Sequence, residues 1–389
     1  IKNQPLVVPT YLSDEKANKL FNPDQKAPND SINGTLKGYN VVILILESFS
    51  YEHTTLQGNK KGFTPFIDSL ARAGIYAKGI ANGKRSIEAI PAILSSLPTW
   101  MNYDFITSPY SGNKINSLPS LLKPLGYRSI FLHGGNNGTM SFDAYSAMAG
   151  FDEYIGRKEY NNDHDFDGTW GIWDEPFLLY TNKKLSQTKQ PFLAALFTLS
   201  SHHPYKVPVE YMYKLPKGSL PIQQSIAYAD LSLRKFFKAA SKEPWFPNTR
   251  FVLVADHTSE GATPVGRTKA GQYTIPIIFY TPSHQLTPFV KSAVQQTDIM
   301  PGVLHLLGYS NPFTAFGESP FTKGSNVPAI SYTSGTWNLF RNDTLLEFNG
   351  KNVSALFNLT KDPLQSKNLS KQSSLDLNIT DKGKAIIQL

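Results

Sequence analysis

The chain offers reactive side chains at four points where an apolar run ends. In an open α/β sheet, ligands bind outside the carboxyl ends of the strands, so such positions are the first candidates for a site. Taken singly, each is ordinary, because a carboxylate there commonly caps the next helix and a histidine is commonly solvated or bonded in the core. Together they predict one site at one edge. The runs 41–46, 129–132, 192–199 and 251–255 lead, respectively, into Glu47; His133; His202 and His203; and Asp256 and His257.

Two of these endings supply a set of metal ligands. Glu47, Asp256 and His257 offer two carboxylates and an imidazole, and the absence of cysteine excludes a thiolate site. Oxygen ligands favour Mn²⁺ or Mg²⁺, and the histidine also admits Zn²⁺. A cation held in this way polarises a phosphoryl or sulfuryl oxygen and lowers the pKa of a coordinated hydroxyl until it can attack.

The best candidate for that hydroxyl is Ser86, in the sequence NGKRSIEAIP at 82–91. A glycine-containing loop presents it just before a predicted helix, whose free amides favour an alkoxide or a bound phosphate. Arg85 and Lys84 add cationic partners for phosphate oxygens. The alternative is that Ser86 only caps the helix, the commoner use of such a serine. Pro91 predicts that this helix starts late or bends.

Composition restricts the class of protein. A chain of 389 residues with 40% hydrophobic content can bury a large core, which favours one main domain with an appendage. The net charge of +8 favours anionic partners, but the basic residues are scattered and no nucleic-acid module is present, so we expect no nucleic-acid binding. No apolar stretch approaches the roughly 18 residues needed to span a bilayer.

The elements that must position these residues alternate along the chain. The runs named above and 275–280 predict buried strands, and 64–73, a stretch after Ser86, 174–185, 222–240 and 298–307 predict helices. This alternation predicts an α/β fold with a mostly parallel, doubly wound sheet. The pattern predicts a linker or wrapping arm at residues 1–38, the catalytic domain at 39–315, and a small α+β appendage at 316–389.

Several motifs in this order carry a family resemblance. They are VVILILES at 41–48, TPFIDSLA at 64–71, the Arg85-Ser86 loop, SHHPY at 201–205, and Asp256-His257. Over roughly residues 39–310 the chain resembles the lipoteichoic acid synthase family, which comprises sulfatase-like phosphoglycerol transferases of the alkaline phosphatase superfamily. The resemblance implies a fold of the alkaline phosphatase and sulfatase type.

The resemblance also implies roles for single residues. One divalent ion, commonly manganese, would be bound by the four residues Glu47, Ser86, Asp256 and His257. The Ser86 hydroxyl would become a covalent phospho-intermediate. The histidine that contacts the phosphoryl group in the family matches His202, with His203 as the second choice. Arg85 and His133 complete the set of substrate-binding residues that we expect.

Two departures from the family pattern bear on headgroup specificity. Lipoteichoic acid synthases usually have threonine at the nucleophile, where this chain has Ser86. They also have tryptophan and arginine in a substrate loop that corresponds to about Met140 to Phe142 here.

The resulting expectation is a transferase that moves a phosphoglycerol-type headgroup from a membrane phospholipid to a glycan or glycerophosphate acceptor. Its catalytic domain would face an anionic membrane surface outside the cytoplasm, tethered by membrane helices that precede this chain. The alternatives are a phosphodiesterase, a phosphoethanolamine transferase, a sulfatase, or a binding domain without activity. Sulfatases need Cys/Ser-X-Pro-X-Arg, which residues 86–90 lack, and phosphoethanolamine transferases often carry disulfides.

Overall fold

The structure, a computed structural model, describes residues 8–28, 38–56, 58, 62–371 and 377–389. Its strands are β1 (Asp24–Gln25), β2 (Asn40–Leu46), β3 (Ile75–Ile80), β4 (Arg128–His133), β5 (Glu153–Ile155), β6 (Phe192–Phe197), β7 (Thr249–Ala255), β8 (Thr274–Tyr280), β9 (Phe313–Thr314), β10 (Ala329–Thr333), β11 (Thr336–Arg341), β12 (Thr344–Phe348) and β13 (Val353–Asn358). Its α-helices are α1 (Asp14–Leu20), α2 (Pro65–Ala73), α3 (Ser86–Ser95), α4 (Leu118–Leu122), α5 (Phe142–Ala149), α6 (Arg157–Tyr160), α7 (Asp174–Ser186), α8 (Ile222–Ala240), α9 (Ile299–Leu306) and α10 (Leu377–Gln388).

A seven-stranded sheet with the order β3-β8-β7-β2-β6-β4-β5 forms the centre of the fold. Strands β7, β2, β6, β4 and β5 are parallel, whereas β8 runs antiparallel to both of its neighbours. Every residue of β2, β6 and β7 is buried, so both faces of the sheet are covered. The expected mostly parallel α/β sheet is confirmed.

The sequence pattern located the long elements well and missed several short ones. The predicted helix at 222–240 coincides with α8, and the other predicted strands and helices differ from the observed ones by a few residues at their ends. Two of these shifts matter below: the run 192–199 leaves the sheet after Phe197, and the run 129–132 continues in the sheet through His133. The edge strands β3 and β5 were not predicted, because β3 has no continuous apolar run and β5 has only three residues.

A second, antiparallel sheet with the order β10-β11-β12-β13 follows the main one. Its core residues Leu339 and Leu346 pack in one cluster with Ile386 of α10 and Ala17 of α1. Gln388 binds the backbone N–H groups of residues 11 and 12, so the beginning and the end of the described chain lie together. Residues 1–7 and 29–37 of the predicted arm lie outside the described residues, and the division into three parts stays a prediction.

Candidate active site

Glu47 and Asp256 are the first residues after two neighbouring strands, β2 and β7. Both are buried. The backbone between them is fixed: Ser48 adopts a left-handed φ of 57°, and its N–H donates to Asp256 Oδ1 at 2.8 Å. The Ser48 hydroxyl donates to Glu47 Oε1 at 2.6 Å. The turn after β2 therefore holds the two carboxylates at one edge of the sheet.

His257 completes this cluster. Its Nδ1 lies 3.0 Å from the carbonyl oxygen of Thr258, a contact that places the proton on Nδ1 and leaves the Nε2 lone pair free. Nε2 lies 3.3 Å from Asp256 Oδ2 and 3.8 Å from Glu47 Oε1. One ligand atom from each of the three residues lies within 4.8 Å of the others.

The cluster fits a divalent cation on its own chemistry. Asp256 Oδ2 is buried and has no hydrogen-bond partner among the described residues. Burial first, and then the charge of Asp256, raises the pKa of Glu47 well above its usual range, as expected for two buried carboxylates that face each other. A bound cation removes both penalties, which is why this donor set suits a metal site.

Ser86 joins the cluster as the first residue of α3. Its hydroxyl is buried and donates to Glu47 Oε2 at 3.4 Å. It does not cap the helix, because Arg85 is the N-cap residue and the Glu88 carboxylate accepts the N–H groups of Lys84, at 2.8 Å, and Arg85, at 3.0 Å. The alternative that Ser86 serves only as a cap is therefore wrong.

Gln296 is a supporting residue that the sequence pattern did not indicate. It is fully buried, its Nε2 donates to the carbonyl oxygens of Ala255 and Asp256 at 2.7 Å, and its Oε1 accepts the Asn82 N–H at 2.7 Å. One side chain therefore connects the end of β7 to the loop that carries Ser86. A glutamine before a predicted helix has no distinguishing pattern, so only the fold reveals it.

Arg85 lies beside Ser86 but its guanidinium is already paired. It forms ion pairs with Glu88 at 3.0 Å and with Asp104, and about half of its side chain is exposed. Lys84 donates to Gln272 and lies over the ring of Tyr273. A role for Arg85 in substrate binding stays a prediction, and it requires the guanidinium to share or exchange these carboxylates.

His202 is held in one orientation at the edge of the same site. Its ring centroid lies 4.2 Å from that of Trp170, and its Nδ1 lies 2.9 Å from the His203 carbonyl oxygen. That oxygen also accepts the Trp170 indole N–H at 2.6 Å. His203 itself is exposed and packs on Tyr205, whose φ of 61° is unusual for a bulky residue. The Ser201 hydroxyl donates to the carbonyl oxygen of Glu47 at 2.5 Å, which places this loop beside the carboxylate cluster.

His133 ends β4 at the same edge of the sheet but still within the ladder, and its contact with substrate stays a prediction. It is the last residue of β4, pairs in register with Phe197, and has no exposed surface. Its ring stacks on Phe197 at 5.3 Å and meets Phe142 edge-on at 5.2 Å. Burial lowers its pKa to about 3, so the imidazole is neutral in the core.

The segment from Met140 to Phe142 provides little polar chemistry. Phe142 is buried against His133, whereas Met140 is exposed. Met140 and Ser141 both have positive φ values, 48° and 56°. This turn therefore presents a thioether and a serine where the resemblance leads one to expect an indole and a guanidinium.

Comparison with known proteins identifies the class to which this fold and site belong. The family model described as Sulfatase matches residues 39–309, and the chain belongs to the sulfatase family. Within it, the chain is 27% identical to lipoteichoic acid synthase 1 of Bacillus subtilis over 76% of this chain and 50% of that protein. It is 24% identical to the lipoteichoic acid synthase of Staphylococcus aureus over 92% of this chain and 58% of that protein. The resemblance to the lipoteichoic acid synthases is confirmed.

Solved structures agree on the fold. The lipoteichoic acid synthase LtaP from Listeria monocytogenes superimposes with a TM-score of 0.81 at 22% identity and 96% coverage of both chains. A protein of the alkaline phosphatase superfamily from Vibrio parahaemolyticus superimposes with a TM-score of 0.79 at 23% identity, covering 97% of this chain and 94% of that one. The chain spans about half the length of the curated relatives it matches. Within the described residues, no helix is both long enough and apolar enough to cross a membrane.

Proposed function

We propose that this chain is the catalytic part of a phosphoglycerol transferase, which takes a phosphoglycerol-type headgroup from a membrane phospholipid and passes it to a glycan or glycerophosphate acceptor. The observation that carries the proposal is the Ser86 hydroxyl, which points at Glu47 within a buried cluster while Glu88 and Arg85 cap its helix. A nucleophilic serine must face the metal ligands, and Ser86 does so without serving as the helix cap.

Glu47, Asp256 and His257 would hold one divalent cation, with Mn²⁺ preferred and Mg²⁺ or Zn²⁺ as alternatives. When bound, the cation supplies positive charge that stabilises the Ser86 alkoxide and the phosphoryl oxygens. The Ser86 hydroxyl loses its proton, and Ser86 Oγ forms a bond to phosphorus while the bond from phosphorus to the diacylglycerol oxygen breaks. Diacylglycerol leaves with that proton. In the second half the acceptor hydroxyl attacks phosphorus, and Ser86 leaves and regains a proton.

His202 is proposed to bind the phosphoryl group. Because its Nδ1 faces the His203 carbonyl oxygen, its Nε2 remains available to a phosphoryl oxygen. The likeness to proteins named lipoteichoic acid synthases also supports an extracytoplasmic location beside the bilayer.

The test is to trap the intermediate. The protein is incubated with phosphatidylglycerol vesicles and Mn²⁺, and its tryptic peptides are analysed by mass spectrometry. We expect a phosphoglycerol ester on Ser86 and release of diacylglycerol. Ser95→Ala is the matched control, because Ser95 is a buried serine at the other end of the same helix. Release of diacylglycerol at the wild-type rate by Ser86→Ala would exclude the proposed nucleophile.

The same experiment separates a transferase from a hydrolase. If a glycerophosphate or glycan acceptor accelerates loss of the adduct and becomes labelled, the enzyme is a transferase. If the adduct decays to free glycerol phosphate at the same rate with and without acceptor, the enzyme is a phosphodiesterase of the same superfamily.

A further inference from the structure

Three large hydrophobic side chains are exposed within five residues of one loop. The exposed fractions of Val209, Met212 and Tyr213 are 76%, 36% and 87%. Isolated exposed hydrophobic residues are common on protein surfaces, but a group of them in one short segment indicates an interaction surface. We call residues 206–217 the docking loop.

The docking loop is also basic. It contains the exposed lysines Lys206, Lys214 and Lys217 and one acidic residue, Glu210. Lys214 Nζ lies 5.9 Å from the ring centroid of Tyr211, and Lys217 Nζ lies 5.9 Å from that of Tyr213. Aromatic and aliphatic side chains interleaved with lysines are typical of segments that lie at the interface of an anionic bilayer.

The loop is tied to the protein on its inner side. The Tyr211 hydroxyl donates to Glu175 and accepts from Lys235, both at 2.6 Å from the partner atom. Gln224 Nε2 donates to the carbonyl oxygen of Met212 at 2.8 Å. These contacts leave the outer side chains of the loop free while they fix its backbone, so the exposed residues form a preformed surface.

The docking loop lies close to the candidate active site. The loop begins four residues after His202 in the connection between β6 and α8, and Lys206 Nζ lies 3.4 Å from the hydroxyl of Thr169, next to Trp170. A bilayer in contact with the loop therefore lies beside the histidine proposed to bind the phosphoryl group.

We propose that the docking loop binds the surface of an anionic phospholipid membrane, with Val209 and Tyr213 inserted among the lipids and the three lysines on the headgroups. This inference rests on the proposed function, because a lipid headgroup is the substrate there. The charge of the loop favours lipid over a protein partner, since lysines flank the apolar residues on both sides in the sequence and the whole chain carries a net charge of +8.

Vesicle flotation tests the proposal independently of catalysis. The wild-type chain should float with phosphatidylglycerol vesicles, and binding should fall at least tenfold with phosphatidylcholine vesicles. Val209→Asp combined with Tyr213→Asp should weaken binding to phosphatidylglycerol vesicles at least tenfold. The matched control is Val290→Asp combined with Leu364→Asp, since these side chains are 46% and 54% exposed elsewhere, and it should change binding less than twofold.

A second measurement separates the two proposals. The docking-loop variant should cleave soluble glycerophosphodiester substrates at the wild-type rate and vesicle substrates at least tenfold more slowly. If no adduct forms on Ser86 but flotation behaves as expected, the proposed function is wrong and the inference that the docking loop binds membranes is supported. Absence of binding by the wild-type chain, or equal binding by the docking-loop variant and its control, overturns the inference and points to a protein partner for the loop.

Discussion

The ends of β2 and β7 differ sharply from the end of β4. After β2 and β7, Glu47 and Asp256 leave the sheet and meet in a buried polar cluster with His257. At the end of β4, His133 stays in the ladder opposite Phe197 and is enclosed by aromatic rings. All of these residues follow an apolar run in the sequence.

The difference lies in position along the sheet: through Phe197, His133 is level with Ile45, two residues before Glu47. A side chain that is still paired in the sheet points into one of its faces, and here both faces are covered, so it becomes part of the core. A side chain one position beyond the strand is released from the ladder and can turn toward the edge. The strand boundary, more than the residue type, therefore decides which polar residue reaches the site.

The largest effect is expected from a substitution in the cluster after β7. Asp256→Asn keeps an oxygen that can accept the N–H groups of Ser48 and His257 but removes a ligand charge. We expect affinity for Mn²⁺ to fall by more than about a hundredfold, with loss of turnover. Isothermal titration with Mn²⁺ and an assay of diacylglycerol release measure the two effects.

Asp174→Asn is the control for that substitution. Asp174 is an equally buried carboxylate that binds the N–H groups of Leu199 and Ser200 outside the cluster. Its replacement should leave Mn²⁺ affinity within about twofold, because it changes charge without removing a ligand. Equal losses in the two variants would show that general buried charge, rather than the cluster after β7, determines metal binding.

A smaller effect is expected at the histidines that follow β6. His202→Ala should lower kcat/KM by about a hundredfold, a usual scale for a group that contacts the reacting phosphoryl, while Mn²⁺ affinity stays unchanged. His203→Ala should cost less than about tenfold, because that ring is exposed and packs on Tyr205. A larger loss of kcat/KM in His203→Ala than in His202→Ala would show that His203, and not His202, contacts the phosphoryl group.

A still smaller effect on kcat is expected at Trp170, whose ring packs against His202. Trp170→Phe keeps an aromatic ring beside His202 and removes the indole N–H that donates to the His203 carbonyl oxygen. Loss of one such hydrogen bond corresponds to about a fivefold fall in kcat. The ring signals of His202 in NMR spectra should broaden or shift in the variant. Unchanged spectra together with unchanged kcat would remove Trp170 from the site.

Sequence patterns predicted the parts of the fold that depend on local periodicity. The buried strand at 41–46 and the helix at 222–240 are close to β2 and α8, because hydrophobic runs and helical spacing are local properties. The antiparallel direction of β8 and the contacts of Gln296 were not predictable, since both depend on residues distant in sequence. The cluster of Glu47 with Asp256 was predictable because adjacent parallel strands end at the same edge.

The smallest effect on turnover, and a clear effect on stability, is expected at His133. If the ring serves only the core beside Phe197 and Phe142, His133→Leu should change turnover less than about twofold. Burial lowers the folded-state pKa of His133 to about 3, below its ordinary value of 6.5, so between these values the unfolded chain binds a proton that the folded chain does not. Stability contributed by the neutral ring is complete above pH 6.5 and is lost as the pH falls toward 3.

The difference between wild type and His133→Leu isolates this contribution. Between pH 7 and pH 4 the free energy of unfolding of the wild type should fall by about 3 kcal/mol more than that of the variant, from about 2.5 pH units at 1.36 kcal/mol each. Urea titrations followed by tryptophan fluorescence at both pH values give the comparison. A hundredfold loss of turnover in this variant would instead show that the imidazole contacts substrate. The end of β4 would then belong to the active site together with the ends of β2 and β7.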